Sequence, residues 1–93
     1  MRKYELMTIF PAEEEKYNNG LNNVRETLKT FGVEIEKEES YGDRDLTYEV
    51  KKYHRGRFLL LTIKVNPAKI VEINRQFKLN DDLLKCMFVK IDE

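Results

Sequence analysis

Apolar and polar residues alternate along two stretches in the middle of the chain, which is the pattern of strands that bury one face. The apolar positions are Val33, Ile35, Leu46, Tyr48 and Val50 in the first stretch and Leu59, Leu61, Ile63 and Val65 in the second. This alternation predicts one long antiparallel hairpin over residues 32–65. A hairpin of that length should extend beyond a small sheet as a projecting arm.

A shorter alternating segment lies near each end of the chain. Residues 2–10 are rich in strand formers and stop at Pro11, which predicts a central strand. Residues 83–91 predict the last strand. Its two alternating sets of residues are Met87, Val89 and Ile91 on one side and Cys86, Phe88 and Lys90 on the other.

Apolar residues spaced by three and four positions predict two amphipathic helices. The first covers residues 13–31, and Gly32 supplies the left-handed residue that commonly ends a helix. Three glutamates in its first turn suit the helix dipole, which favours negative charge there. The second helix follows Asn66 and Pro67 and has about three turns. Its apolar side is formed by Ile70, Ile73 and Phe77.

The predicted elements follow the order β-α-β-β-α-β, which is the split arrangement of ferredoxin-like folds. Right-handed crossovers in this arrangement place both helices on one face of a four-stranded antiparallel sheet. We therefore expect an α+β, ferredoxin-like fold, built as a single domain over residues 1–93. A chain of this length supports one small core.

Such a fold leaves the second face of the sheet uncovered. If Leu59, Leu61 and Ile63 face the helices, then Phe58 and Leu60 face outward, and we expect Cys86 and Phe88 to join them. An open face with these residues predicts a docking surface or weak self-association. The alternative is that a bulge turns them into the core.

Positive charge is concentrated at the predicted end of the hairpin. The chain has 17 basic and 17 acidic residues and a net charge of zero, yet residues 51–57 contain four bases and no acid. These bases are Lys51, Lys52, Arg55 and Arg57. Such a cluster presents a positive field, and we expect a polyanion as its partner.

RNA fits this charge pattern through its phosphates. Residues 55–59 read RGRFL and resemble a strand motif of RNA-recognition domains, but the alternate aromatic residues that stack bases are missing. Contact with phosphates and RNA shape is therefore the better expectation. The candidate RNA-binding residues are Arg2, Lys3, Lys51, Lys52, Arg55, Arg57, Lys78 and Lys85.

Catalytic and metal chemistry find little support in the sequence. The chain has one cysteine, Cys86, and one histidine, His54, so neither a disulfide within the chain nor a zinc site is expected. Glu34, Glu36 and Glu38 should form a solvated acidic row on a strand. We expect no enzyme activity, no cofactor and no small-molecule substrate. The N-terminus lacks the apolar core of a signal peptide and no long apolar run occurs, so a cytoplasmic protein without membrane contact is expected.

Four segments together resemble one known family. Residues 1–6, 31–35, 41–52 and 87–90 read MRKYEL, FGVEI, YGDRDLTYEVKK and MFVK. They are similar to the family of the sixth protein of the bacterial small ribosomal subunit. The most distinctive part is the Gly-x-Arg-x-Leu-x-Tyr pattern of the hairpin, carried by Gly42, Arg44, Leu46 and Tyr48.

This resemblance implies a ferredoxin-like structural protein of the ribosome. It would bind small-subunit ribosomal RNA together with small-subunit ribosomal protein eighteen. The candidate residues for binding that protein are Arg44, Leu46, Tyr48, Phe58, Leu60 and Phe88. The chain stops at Glu93, without the tail that many members lay against their protein partner, so binding should rest on the sheet and hairpin. The alternative is a stand-alone regulatory or small-ligand domain that dimerises through its open sheet face.

Overall fold

Six regular elements follow one another in the predicted order. The computed structural model describes residues 1–91. The strands pair in the order β2-β3-β1-β4, and every neighbouring pair is antiparallel. The elements are β1 (Arg2–Phe10), α1 (Glu14–Thr30), β2 (Glu34–Val50), β3 (Tyr53–Val65), α2 (Ile70–Phe77) and β4 (Lys85–Lys90). This arrangement confirms the α+β, ferredoxin-like fold, with β1 as a central strand.

The core lies between the sheet and the two helices. Leu6 and Phe10 of β1 are fully buried beside Leu61 and Ile63 of β3, as their alternation predicts. Thr8, also buried, donates its hydroxyl to the carbonyl of Leu59 at 2.7 Å, so its polar group is satisfied inside the core. The helices contribute the buried residues Leu21, Val24, Leu28, Ile73 and Phe77. No helix within residues 1–91 is long and apolar enough to cross a membrane.

Local signals set the helix ends. Gly32 has a φ of 70°, which confirms the predicted left-handed residue at the end of α1, and the amide of Val33 donates to the carbonyl of Leu28 at 2.9 Å, as in a Schellman motif. A short 3₁₀ turn, Pro67–Lys69, leads into α2. The side chain of Asn66 accepts from the amide of Ala68 at 3.0 Å and caps this turn.

The hairpin of β2 and β3 is irregular. Its pairing shifts between Ile35 and Lys37, between Ser40 and Gly42, and again near its end. Because each extra residue in a strand changes which face the following side chains occupy, the predicted acidic row does not form. Glu36 lies 3.4 Å from Lys3 and 3.6 Å from Lys64, whereas Glu38 reaches Arg25 of α1.

A buried turn ties β4 to the first helix. Asn80 is buried, donates its side-chain amide to the carbonyl of Gly20 at 3.1 Å, and accepts from the amide of Asp82 at 3.1 Å. The amide of Leu84 then donates to the carbonyl of Ile9 at 2.7 Å. These bonds fix where the chain enters β4, and hence the pairing of β4 with β1.

Candidate functional site

The sheet side opposite the helices carries exposed apolar residues. Antiparallel pairing sets Met7 of β1 between Leu60 of β3 and Met87 of β4. Met87 is 55% exposed and Val89 is 46% exposed. A groove of about 450 Å³ crosses this surface, and Glu5 is one of the residues that line it. We call this surface the open face, and it consists of Met7, Ile9, Phe58, Leu60, Met87 and Val89.

Five of the six residues predicted to bind a protein partner lie on or beside the open face. Phe58 and Leu60 belong to it, and Arg44 lines its groove. Leu46 and Tyr48 line a neighbouring groove of about 220 Å³ together with Phe58. The structure therefore brings these five side chains into one continuous surface that runs from the sheet towards the end of the hairpin.

Phe88 is the exception, and the expectation that it faces outward is wrong. Phe88 pairs with Leu6, so its side chain shares the helix side of the sheet with that buried leucine. Its ring stacks on Phe77 of α2 at a centroid distance of 6.2 Å and meets Tyr4 edge-on at 6.5 Å. Cys86 follows the same alternation and also packs against the core.

Met7, Met87 and Val89 were missed as surface residues. For Met7 a signal existed, because the alternation of β1 places it opposite Leu6. For β4 no such signal existed. Both alternating sets of that strand contain apolar residues, and the pattern alone could not say which set meets the helices.

Four lysines gather at the hairpin turn, and we call them the lysine cluster: Lys51, Lys52, Lys78 and Lys85. Lys51 and Lys52 form the turn between β2 and β3. Lys78 follows α2 and Lys85 begins β4, and with Lys51 they line a groove of about 410 Å³. None of the four makes an ion pair with a carboxylate within residues 1–91.

Arg2 and Lys3 lie at the opposite end of the sheet. Arg2 pairs with Val65, whereas Lys85 pairs with Ile9 seven residues further along β1, which is roughly 23 Å away at the usual rise per strand residue. Lys64 and Lys90, which are not among the predicted RNA-binding residues, line a groove with Arg2 and Lys3. Six of the eight predicted RNA-binding residues therefore fall into two separate groups.

Arg57 belongs to neither group, because its charge is taken up on the helix side of the sheet. Its guanidinium donates to Asp43 at 2.7 Å, to Glu14 at 3.0 Å and to the carbonyl of Ala12 at 3.1 Å. It also lies 4.6 Å from the ring centre of Tyr17. The expectation of a free Arg57 at a projecting tip is therefore wrong.

The other arginine of the predicted tip is less constrained. Arg55 approaches the exposed Asp45 at 3.8 Å, a distance at which a solvated ion pair contributes little. Lys51 also does not project freely, since its ammonium donates to the carbonyl of Leu83 at 3.0 Å. The end of the hairpin is thus held against the turn that precedes β4.

The Arg57 ion pairs make stability depend on pH. The hydrogen bond from Arg57 holds the pKa of the Asp43 carboxyl below its usual value. The carboxylates of Asp43 and Glu14 in turn raise the pKa of Arg57. A carboxyl whose pKa is lower in the folded state stabilises that state above its unfolded pKa, and this contribution is lost as the pH falls through the folded pKa.

Replacing Asp43 by asparagine is expected to lower the free energy of unfolding at pH 7. The difference from the unaltered chain should begin to shrink below the unfolded pKa of an aspartate, about 3.9, and should disappear as the pH falls through the lower folded pKa of Asp43. Urea unfolding at a series of pH values measures this. Asp45→Asn is the control and should change the free energy of unfolding at pH 7 little, because its ion pair with Arg55 is exposed. A deficit of Asp43→Asn that stays constant down to pH 2.5 would contradict the assigned ion pair.

Cys86 and His54 do not form a reactive site. Burial raises the pKa of the Cys86 thiol, although the charges of Lys51 and Lys78 act in the opposite direction. A raised pKa keeps the thiol protonated and a poor nucleophile. His54 is exposed and lies 3.6 Å from Glu49, far along the hairpin. Within residues 1–91 no group of three or more acidic, histidine or cysteine side chains is placed to hold a metal.

Comparisons with known proteins agree on one family. The family model described as ribosomal protein S6 matches residues 3–90. The small ribosomal subunit protein bS6 of Treponema denticola is 46% identical over 93 residues, which is the full length of both chains. The bS6 protein of Halalkalibacterium halodurans is 39% identical over 95 aligned positions and again covers both chains fully.

Solved structures agree with the fold. The crystal structure of 30S ribosomal protein S6 from Thermotoga maritima superposes with a TM-score of 0.83 and 22% identity, covering 97% of this chain and 87% of that chain. The C-terminal domain of the MgtC protein from Mycobacterium tuberculosis superposes with a TM-score of 0.63 and 7% identity, covering 100% of this chain and 90% of the other. Likeness at such low identity speaks for the fold alone.

Proposed function

The chain belongs to the ribosomal protein S6 family, and from this premise we propose that it binds small-subunit (16S) ribosomal RNA together with small-subunit ribosomal protein eighteen. Membership makes the chain a structural component of the small ribosomal subunit in the bacterial cytoplasm, and not an enzyme. What we propose is the identity of its two partners, 16S RNA and protein eighteen.

The open face is the observation that supports binding of a protein partner. Met87 and Val89 expose about half of their surface on a side of the sheet that neither helix covers. Leu60 and Phe58 adjoin them, and Arg44 lies at the rim of the same groove. Apolar residues at the centre with charged groups at the edge are typical of a docking surface. Protein eighteen is proposed to cover this surface.

The basic residues other than Arg57, which is paired with Asp43 and Glu14, support binding of RNA. Lysines bind phosphates as point charges, and such contacts position RNA without reading its sequence. Docking of protein eighteen would hold the positive surfaces of both proteins in one arrangement before RNA binds. Preorganisation of this kind raises affinity, because less conformational freedom is lost on binding.

Binding of a central-domain fragment of 16S RNA is expected to be at least tenfold tighter when protein eighteen is present, and to weaken steeply with salt. Filter binding at several potassium chloride concentrations, with and without the partner, measures both effects. Equal, salt-insensitive binding by the lone chain would contradict the proposal.

Self-association through the open face is the competing function, and the same exposed residues favour it. Light scattering on the purified chain distinguishes the two. The proposal expects a monomer that forms a one-to-one complex with protein eighteen. A stable dimer that excludes protein eighteen would instead support a stand-alone domain.

A further inference from the structure

The turn at the end of the hairpin has an unfavourable backbone for its residues. Lys51 and Lys52 have φ values of 49° and 71°, so both lie in the left-handed region. Two-residue hairpin turns with positive φ at both positions strongly prefer asparagine, aspartate and glycine. Two consecutive lysines accept a steric penalty that Asn-Gly would avoid. Backbone strain of this kind concentrates at functional positions.

The strained turn lies beside two further lysines. Lys51 lines a groove together with Lys78 and Lys85, and its ammonium is held there by the carbonyl of Leu83 at 3.0 Å. Lys85 is 3.5 Å from the hydroxyl of Tyr48. These contacts hold the ammonium groups of Lys51 and Lys85 without neutralising them, because a carbonyl and a phenol carry no full charge at pH 7.

Several other basic residues are compensated locally, although Arg2, Lys29, Lys69 and Lys90 have no carboxylate partner among residues 1–91. Arg57 is paired with Asp43 and Glu14, and Lys3 and Lys64 share Glu36. A chain with zero net charge thus places four lysines without carboxylate partners, among residues 1–91, at one end of the molecule. Like charges held close together repel each other, and a bound anion relieves that repulsion.

We propose that the lysine cluster is the principal site at which this chain contacts the phosphodiester backbone of RNA. The inference rests on the proposed RNA function and narrows it to one end of the molecule. Lysine suits this role because it is a flexible point charge, so the site should tolerate any base sequence. Arg2 and Lys3, at the other end, would then contribute less.

Replacing Lys51 and Lys52 by the residues that this type of turn prefers distinguishes a role in RNA binding from a role in folding. The variant Lys51→Asn/Lys52→Gly removes two charges but improves the turn, so its Tm is expected to rise by about 4 °C. RNA affinity of the complex with protein eighteen should fall about 30- to 50-fold at roughly 0.1 M salt. The slope of log affinity against log salt should become smaller by about 1.6, as two phosphate contacts are lost.

Two further variants complete the experiment. Lys78→Gln/Lys85→Gln leaves the turn intact and should lower affinity and slope to a similar degree. Lys29→Gln/Lys69→Gln removes the same amount of charge near the other end of the helix layer, where Lys69 lies 3.4 Å from the carbonyl of Phe31. This control should change the affinity less than threefold and leave the salt slope unaltered.

The outcomes of this experiment distinguish the role of the lysine cluster from the proposed RNA-binding function as a whole. If the unaltered complex binds RNA and both cluster variants bind with the same affinity and slope, the lysine cluster is not the phosphate site, while the proposed function stands. If the control variant weakens binding as much as the cluster variants, the contact is diffuse and the inference is overturned. If the unaltered chain with protein eighteen binds no RNA, the proposed function fails and the inference fails with it.

Discussion

Replacing Gly20 by valine is expected to lower the free energy of unfolding by at least about 3 kcal/mol. A Cβ atom at this position would lie 2.3 Å from the backbone oxygen of Asp82 and 2.8 Å from the ring of Phe10. A flexible side chain could move aside at small cost, but a backbone oxygen in a fixed turn cannot. The loss is large beside the total stability of a small domain, about 5–15 kcal/mol.

Helix propensity alone predicts the opposite sign for this substitution. Valine is slightly more favourable than glycine inside a helix, by a few tenths of a kcal/mol. The close approach of α1 to the turn outweighs this gain, because the carbonyl of Gly20 accepts the buried side-chain amide of Asn80 at 3.1 Å. Moving the helix away to admit a side chain would break that bond.

Urea unfolding followed by circular dichroism measures the effect, with Asn19→Val as the matched control. Asn19 is exposed and neighbours Gly20 in the same helix, and asparagine and valine have similar helix propensities. The control should therefore unfold within about 0.5 kcal/mol of the unaltered chain. Equal midpoints for the two variants would show that α1 does not contact the turn as described.

Replacing Met87 by arginine is expected to weaken binding of protein eighteen about 100-fold, with little change in folding stability. Met87 is 55% exposed on an edge strand, so the free chain can solvate the new charge. In the complex the charge would be buried against an apolar surface, where it loses its hydration without gaining a partner. A penalty of about 2.7 kcal/mol, typical of a central interface position, corresponds to this factor.

Val71→Arg is the matched control for the open face. Val71 is 69% exposed but lies on α2, on the other side of the sheet. The same change of an exposed apolar side chain to arginine should leave binding within threefold. Isothermal titration of each variant with protein eighteen, together with thermal unfolding, measures both properties. Loss of binding in Val71→Arg but not in Met87→Arg would place the partner on the helix layer instead.

The hairpin of β2 and β3 shows which parts of the structure a local sequence pattern can predict. Its alternation predicted two long strands, and the structure confirms them as β2 and β3. The structure does not show the free basic arm that was predicted at the end of this hairpin. The charge of Arg57 is taken up by Asp43, 14 residues away, and by Glu14, 43 residues away. Ion pairs across such separations depend on how elements pack, and no sequence period encodes them.

The sequence by itself determined the order of strands and helices, the helix ends and the existence of an open face, because periodicity and capping are properties of neighbouring residues. Tertiary structure alone decided which residues form that face on β4. Both sides of this strand carry apolar residues, and only the pairing of Phe88 with Leu6, set by the buried turn at Asn80, directs Phe88 inward and Met87 outward. A one-residue shift in register would exchange the two, since side chains in a strand alternate with a period of two.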